Sequence, residues 1–283
     1  MPENFPFTQV ATGIPGAEGP MFDHRGRFFV VAPNQGSVLE IQPDGQRREH
    51  ANTGGIPAGL MVDDQDRLWV ADMKLGLCRV SPEGKVQRVV TTYHGQPIRG
   101  CNDLCFDPAG NLYFTAPAGS SIEKPVGEVF TRSTAGQVLR LDGGFAFSNG
   151  IAVTADGRTL IVAETDTKKL WAFDILGPGQ VANRRVWAAL SGDHHGGPDG
   201  LDFDVDGNLL ATNWGGGRIE VFDSTGAPVE RITLPFAQPS NLHFGGADGC
   251  DLWITEHTNH AVWKTRWRRP GLLALRRSGT VNQ

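Results

Sequence analysis

The chain has 283 residues, a formal net charge of −5 and a pI near 5.9, and no basic stripe of the kind nucleic acid requires. No run approaches the roughly 18 apolar residues of a membrane helix. The first residues, Met1 to Phe7, have neither a basic segment nor an apolar stretch, so no secretory signal is expected and the cytoplasm is the predicted location.

In chain order, one unit of the form apolar-Asp-x-x-Gly-x-apolar-aromatic-apolar recurs six times. It runs from Phe22 to Val30, Val62 to Val70, Phe106 to Phe114, Val153 to Val162, Phe203 to Ala211 and Phe244 to Ile254. The starts are spaced by 40, 44, 47, 50 and 41 residues, the length of a four-stranded propeller blade. Each unit reads as strand, Asp/Asn-Gly turn, strand. A second hairpin follows in most copies: Ser37 to Ile41 before Pro-Asp-Gly, Leu77 to Val80 before Pro-Glu-Gly, Leu170 to Ile175 before Gly-Pro-Gly, and Arg218 to Phe222 before Ser-Thr-Gly. Thirty-seven glycines and 18 prolines suit such a chain.

The expectation is therefore an all-β fold, a six-bladed β-propeller of four-stranded antiparallel blades around a central channel, with residues 1–283 forming a single domain. Phe7 to Gly13 has no unit of its own and is expected to complete the last blade, removing an exposed edge. Ala118 to Pro125 reads as a mobile loop. Arg266, Arg268, Arg269, Arg276 and Arg277 read as a solvated tail. The cysteines, 78, 101, 105 and 250, are scattered and read as buried free thiols, because Cys101 and Cys105 lack partners at zinc spacing.

Registering the units compares positions that should be equivalent in space. Four residues before each start the column reads Glu18, Ala58, Asn102, Asn149, Asp199 and Ser240. Glycine follows at 19, 59, 150 and 200, leaving the backbone free for irregular geometry. First strands line a propeller's axis, so two carboxylates and two carboxamides should converge there. Those are donors for a hard divalent cation, calcium before magnesium, and not for zinc or copper.

One residue before the start, Asp202 and His243 stand out among Met21, Met61, Cys105 and Ala152. They fit a buried Asp–His pair or a second ion one layer deeper, and the chemistry of imidazole favours the pair. The column just past each second strand is Pro33, Met73, Pro117, Thr165, Trp214 and His257. It describes a mostly apolar cup over the cation, with His257 as the one rim group ionising near neutrality.

Several stretches carry a resemblance: Ile14 to Pro20 with Glu18-Gly-Pro, Val70 to Met73, Gly100 to Asp103, Ser148-Asn149-Gly150, Val162 to Thr165, Thr167 to Trp171, Pro198-Asp199-Gly200, Asn213 to Gly215, Pro239 to Phe244 and Thr255 to His257. Over nearly the whole chain the sequence resembles the gluconolactonase and regucalcin superfamily, and within it the group of calcium-dependent phosphotriesterases of the diisopropyl-fluorophosphatase type. The resemblance implies two calcium ions. Glu18, Asn102, Asn149 and Asp199 would hold the catalytic one. Asp202, His243 and the Leu242 carbonyl would hold a structural one, replacing the bare pair. Met73, Thr165, Trp214, Asn241 and His257 would line the pocket. Between Ala118 and Gly127 the chain is shorter than the family's pattern, which carries a Tyr- and Arg-bearing insertion in the pocket wall.

The implied activity is hydrolysis of P–F or P–O bonds of organophosphorus substrates, with Asp199 attacking as nucleophile or acting as a base or water ligand. The alternative is a lactonase using the same metal site. A non-catalytic binding propeller is disfavoured by the polar axial column, and a redox propeller by the lack of any marked cofactor site. The expected partner is a small molecule, an organophosphate or a lactone, with no nucleic acid and no membrane, and the protein is expected to be a monomer or weak oligomer.

Overall fold

The computed structural model describes residues 5–117 and 119–273. The chain builds six four-stranded antiparallel sheets, the predicted six-bladed propeller. The inner strands are Glu18–Phe22, Pro57–Val62, Leu104–Phe106, Ser148–Val153, Pro198–Phe203 and Pro239–Gly245, and in the first five sheets the strands follow one another outward in sequence order. A two-stranded ribbon, Thr92–Tyr93 with Gln96–Pro97, is added beside the third blade.

The repeated aspartate makes the turn between the first two strands. Oδ1 of Asp23 accepts the N–H groups of Arg25 (3.0 Å) and Arg27 (2.8 Å). Asp63 does the same for Gln65 and Arg67, and Asp204 for Asp206 and Asn208, all at 3.0 Å. The short carboxylate thus supplies the acceptors that a tight turn leaves unmet. The glycine of the unit sits in the left-handed region, with φ of 80° at Gly26 and 82° at Gly207. In the second copy Asp66 takes that place at φ 57°, a conformation Asp adopts more readily than most residues. Its carboxylate receives His24 and Arg25 of the first blade.

The outer ends of the second strands carry buried polar anchors. Asp72 accepts from Thr53 Oγ1 and from the N–H groups of Ile56, Lys74 and Leu75. Glu164 accepts from Ala146 N–H and Trp171 Nε1. Each anchor pins the loop that enters the next element, so irregular backbone is satisfied without water.

Apolar side chains fill the space between blades. Phe29, Tyr113, Phe114, Phe145 and Phe244 are fully buried, each burial contributing about 1.5–3 kcal/mol. The rings of Phe114 and Phe130 stack at 5.3 Å. Cys78, Cys101 and Cys105 are buried free thiols as expected, whereas Cys250 is only half-buried.

The ring closes as the sequence suggests. Thr8–Ala11 pairs antiparallel with Ala261–Arg266 and becomes the outer strand of the last blade. Ile14 N–H bonds the His260 carbonyl at 2.9 Å, and Ser240 Oγ donates to the Ala17 carbonyl at 2.7 Å. Two expectations need correction. Arg266, Arg268 and Arg269 are not a solvated tail: they pair with Asp248 and Asp251, with Glu230, and with Asp206. The buried Trp267 between them explains why, since it ties this segment to the sheet; Arg276 and Arg277 lie outside the described residues. The 118–125 loop is tethered, Ser120 Oγ accepting from Phe147 N–H at 2.9 Å and Ser121 bonding Lys124 in a turn; Ala118 itself lies outside the described residues.

Removing residues 1–12 should leave Ala261–Arg266 as an open edge. We expect a fall of about 10 °C in the unfolding midpoint, from a loss of a few kcal/mol, and soluble aggregates absent from the full chain, measured by thermal unfolding and light scattering.

Candidate functional site

The heads of the inner strands are irregular. Register shifts fall between Glu18 and Met21, Pro57 and Gly59, Ser148 and Ile151, Pro198 and Leu201, and Pro239 and Leu242. In the third blade pairing starts only at Leu104, so Asn102 and Asp103 stand ahead of the ladder. A bulge re-aims side chains that a regular strand would send into the sheet. The five bulges and the one late start therefore act alike, at the same level in every blade.

The glycines beside the axial column do a different job from the one expected. Only Gly19 has a positive φ, 53°, among the four. All four, Gly19 included, are needed because the next blade lies against them. A Cβ on Gly59 would stand 2.7 Å from Asp103 Oδ1, and one on Gly200 would stand 2.6 Å from Asn241 Cα and closer still to its carboxamide. One on Gly150 would overlap the Asp199 carbonyl. Missing side chains in one blade make room for the functional side chains of its neighbour.

Glu18, Asp199 and Asn149 meet at this level, together with Asp103 and Asn241. Burial, then the charges of Asp199 and Asp103, push the Glu18 carboxyl well above its usual range. Burial and Asp103 raise Asp199 strongly, and a hydrogen bond from Asn149 works against the rise. Burial raises Asp103 from an ordinary 3.8 to about 7, with Asp202 contributing from below and Asn241 opposing. Asp199 and Asp103 act on Glu18, Asp103 on Asp199, and Asp202 on Asp103, a mutual repulsion that a bound cation would relieve. Asn102 holds the same register position, its N–H bonded to the Thr115 carbonyl at 3.0 Å; its carboxamide makes no hydrogen bond to the group among the described residues.

One layer deeper, His243 Nδ1 lies 2.8 Å from Asp202 Oδ2. Asp202 also accepts the N–H groups of Phe203 (2.8 Å) and Phe244 (3.3 Å). Leu242 is buried beside them. Among the described residues no three His, Cys, Asp or Glu side chains cluster as a metal site. The donors here mix carboxylates with carboxamides, a set that fits a hard cation with oxygen ligands.

Asp103 was missed from the sequence. Its signal lies in the next column of the same register, which reads Gly19, Gly59, Asp103, Gly150, Gly200 and Asn241. The two side chains that break the glycine run are the two that fill the middle of the site.

The rim is more polar than the predicted cup. Thr165 is turned inward: its hydroxyl accepts Asn149 Nδ2 at 3.0 Å and donates to the Pro198 carbonyl at 2.8 Å. Met73 and Trp214 are half-buried. Trp214 Nε1 donates to His257 Nδ1 at 3.1 Å, so the ring proton of neutral His257 sits on Nε2, 3.6 Å from Glu18 Oε1. Burial, with His260 adding, pushes the His257 imidazole down to about 4. It is thus not the group that ionises near neutrality. His195, unremarked in the sequence, meets Trp214 edge-on at 6.0 Å.

Similar proteins can be set beside this geometry. The family described as SMP-30/Gluconolactonase/LRE-like region matches residues 16–258. Diisopropyl-fluorophosphatase from Loligo vulgaris is 45% identical over 94% of this chain and 93% of its own length. Gluconolactonase from Zymomonas mobilis is 28% identical over 94% and 82%. Among solved structures, a gluconolactonase from Xanthomonas campestris superposes with a TM-score of 0.81 at 24% identity, covering 93% of this chain and 89% of that one. The calcium-binding protein regucalcin from Agrobacterium tumefaciens does so with 0.77 at 20%, covering 94% and 97%.

Two outcomes follow. Asp103 is raised from 3.8 to about 7, and Glu18 and Asp199 are raised as well, so the folded state holds extra protons and the Asp103 share of stability is lost as pH rises through about 4 to 7. In chelator, the unfolding midpoint should therefore fall between about pH 5 and about pH 8. Gly200→Ala should displace Asn241 and cost about 1–3 kcal/mol, read by denaturant unfolding.

Proposed function

The chain belongs to the SMP-30/gluconolactonase/LRE-like family, and we propose that it is a calcium-dependent hydrolase that cleaves P–F and P–O bonds of organophosphorus substrates. One observation carries the reading. Bulges in three blades bring Glu18, Asn149 and Asp199 to one register level, where both acids are buried and raised by neighbouring carboxylates. Identity of 45% over nearly the full length of Loligo diisopropyl-fluorophosphatase supports the substrate class.

Glu18, Asn102, Asn149 and Asp199 would hold the catalytic ion, and Asp202, His243 and the Leu242 carbonyl a structural one. When bound, calcium supplies Lewis-acid polarisation of a P=O or C=O oxygen. Asp199, buried and steadied by Asn149, is the nucleophile: its oxygen bonds to phosphorus as fluoride or an alkoxide leaves, and water then cleaves the resulting acyl phosphate to return the Asp199 carboxylate and release the phosphate diester. Glu18 stays a ligand, with Asn241 hydrogen-bonded to it. Met73, Trp214 and His257 form the wall, with Thr165 and Asn241 supporting the ligands from behind. Neutral His257, held by Trp214 through Nδ1, keeps its Nε2 3.6 Å from Glu18 Oε1 and faces the pocket as an uncharged wall group.

A second reading is lactone hydrolysis at the same site, favoured by the Zymomonas gluconolactonase relative. We further read residues 1–283 as one domain and the protein as a cytoplasmic monomer or weak oligomer, acting on small molecules without nucleic acid or membrane. No helix among the described residues is long and apolar enough to cross a membrane.

Fluoride release from diisopropyl fluorophosphate, run beside a lactone panel with calcium and with chelator, tests the reading. We expect fluoride release that chelator abolishes and calcium restores, and a loss of about 10³-fold or more in kcat for Asp199→Ala. Activity on lactones alone overturns the phosphotriesterase reading; activity surviving both chelator and the substitution overturns the calcium site.

A further inference from the structure

Glu18 and Asp199 stand at the head of the inner strands, and the opposite end of the channel is occupied by the segment that the sequence suggests is a tail. From the last blade, Trp267 N–H bonds the Cys250 carbonyl at 2.9 Å and its Nε1 reaches Asp204 Oδ2 at 3.2 Å. Val205 N–H then bonds the Pro270 carbonyl at 3.0 Å, Gly271 N–H bonds the Gly249 carbonyl at 2.9 Å, and Gly271 bridges Asp204. Asp204 and Gly249 belong to turns at the far ends of their strands, opposite the Asp199 rim. The chain thus crosses under the ring.

Beyond Gly271, Leu272 packs with Leu201 and Phe203, and Leu273 packs against the cluster that includes Met21, Met61 and Leu104. Both leucines line the same cavity as Asp103, Asp202 and His243. Gly271 is fixed in place by Phe244, whose side chain occupies the space where a Cβ would stand. Arg268 and Arg269 fasten the segment from outside through Glu230 and Asp206.

We propose that Trp267 to Leu273 is a strap that floors the axial channel with Leu272 and Leu273, so that an ion held at Asp202 and His243 leaves only past the upper site. An apolar constriction opposes passage of a hydrated cation, because water must be shed without replacement ligands. The proposal rests on the two-calcium reading. It assigns the strap a positioning role, setting how long the deep ion stays and not how the substrate reacts.

The test follows calcium release from the native protein into a fluorescent chelator, after metal analysis of the chelator-free protein. Two ions and two release phases are expected. In Leu272→Ala/Leu273→Ala the slow phase should accelerate about tenfold or more while the fast phase holds, and Leu273→Met should keep the native slow rate. If the double variant loses its cooperative unfolding, Leu273→Ala, which trims only a half-buried side chain, carries the test. Two bound ions with an unaltered slow phase overturn the strap and leave the calcium reading standing. Native protein that retains no calcium overturns both.

Discussion

The close approach of neighbouring inner strands governs the centre of this molecule. Where Gly59 faces Asp103, Gly200 faces Asn241 and Gly150 faces the Asp199 carbonyl, the backbones lie too near for any side chain. Bulges at the same level turn the surviving side chains toward the axis. Sterics, and not any attraction among the polar groups, therefore create the site. The attraction has to come from something that binds, since the acids left to themselves repel.

That arrangement trades stability for chemistry in a definable way. Asp103 touches both levels electrically: it raises Glu18 and Asp199 above it, and Asp202 acts on it from below. Asp103 and the Asp202–His243 pair line one cavity whose walls include Met21, Met61, Leu104 and Ile151. These groups are buried, so each charge is felt strongly. The outer turns, by contrast, satisfy Asp23, Asp63, Asp107 and Asp204 with local N–H groups, adding Arg27 at Asp23 and Arg67 at Asp63. The same residue type is neutralised at the periphery and left exposed to its own kind at the centre.

The blade count, the ring closure by Thr8–Ala11 and the axial column were legible because each repeats, and repetition allows columns to be compared. What escaped was whatever occurs once. Asp103 is a single departure in a run of glycines, and its meaning depends on which blade lies beside Gly59. The glycines themselves suggested backbone freedom, whereas all four answer to contacts about 40 to 50 residues away in sequence, as the repeat spacing dictates. Arg266, Arg268 and Arg269 look like a charge run until Trp267 is seen buried between them. Thr165 and His257 lay in a column that suggested a rim, but hydrogen bonds to Asn149 and from Trp214 decide what each can do. The ligand roles themselves follow from donor chemistry and resemblance, and the geometry adds who stands behind each donor.

Closing the last blade with a strand from the beginning of the chain has a bearing on how the protein comes into being. During synthesis Thr8–Ala11 emerges first, yet its partner Ala261–Arg266 emerges almost last, so this strand waits through the making of every other blade. Ser240, which reaches back to the Ala17 carbonyl next to Glu18, is equally late. Blades two to five can form as they leave the ribosome, each from local hairpins, but Glu18 cannot be locked against its neighbours until the final sheet is in place. The contacts of greatest sequence separation are the slowest to form, and here they are the ones that complete the channel. A chain interrupted just before its last blade therefore holds most of its blades and still lacks a finished site.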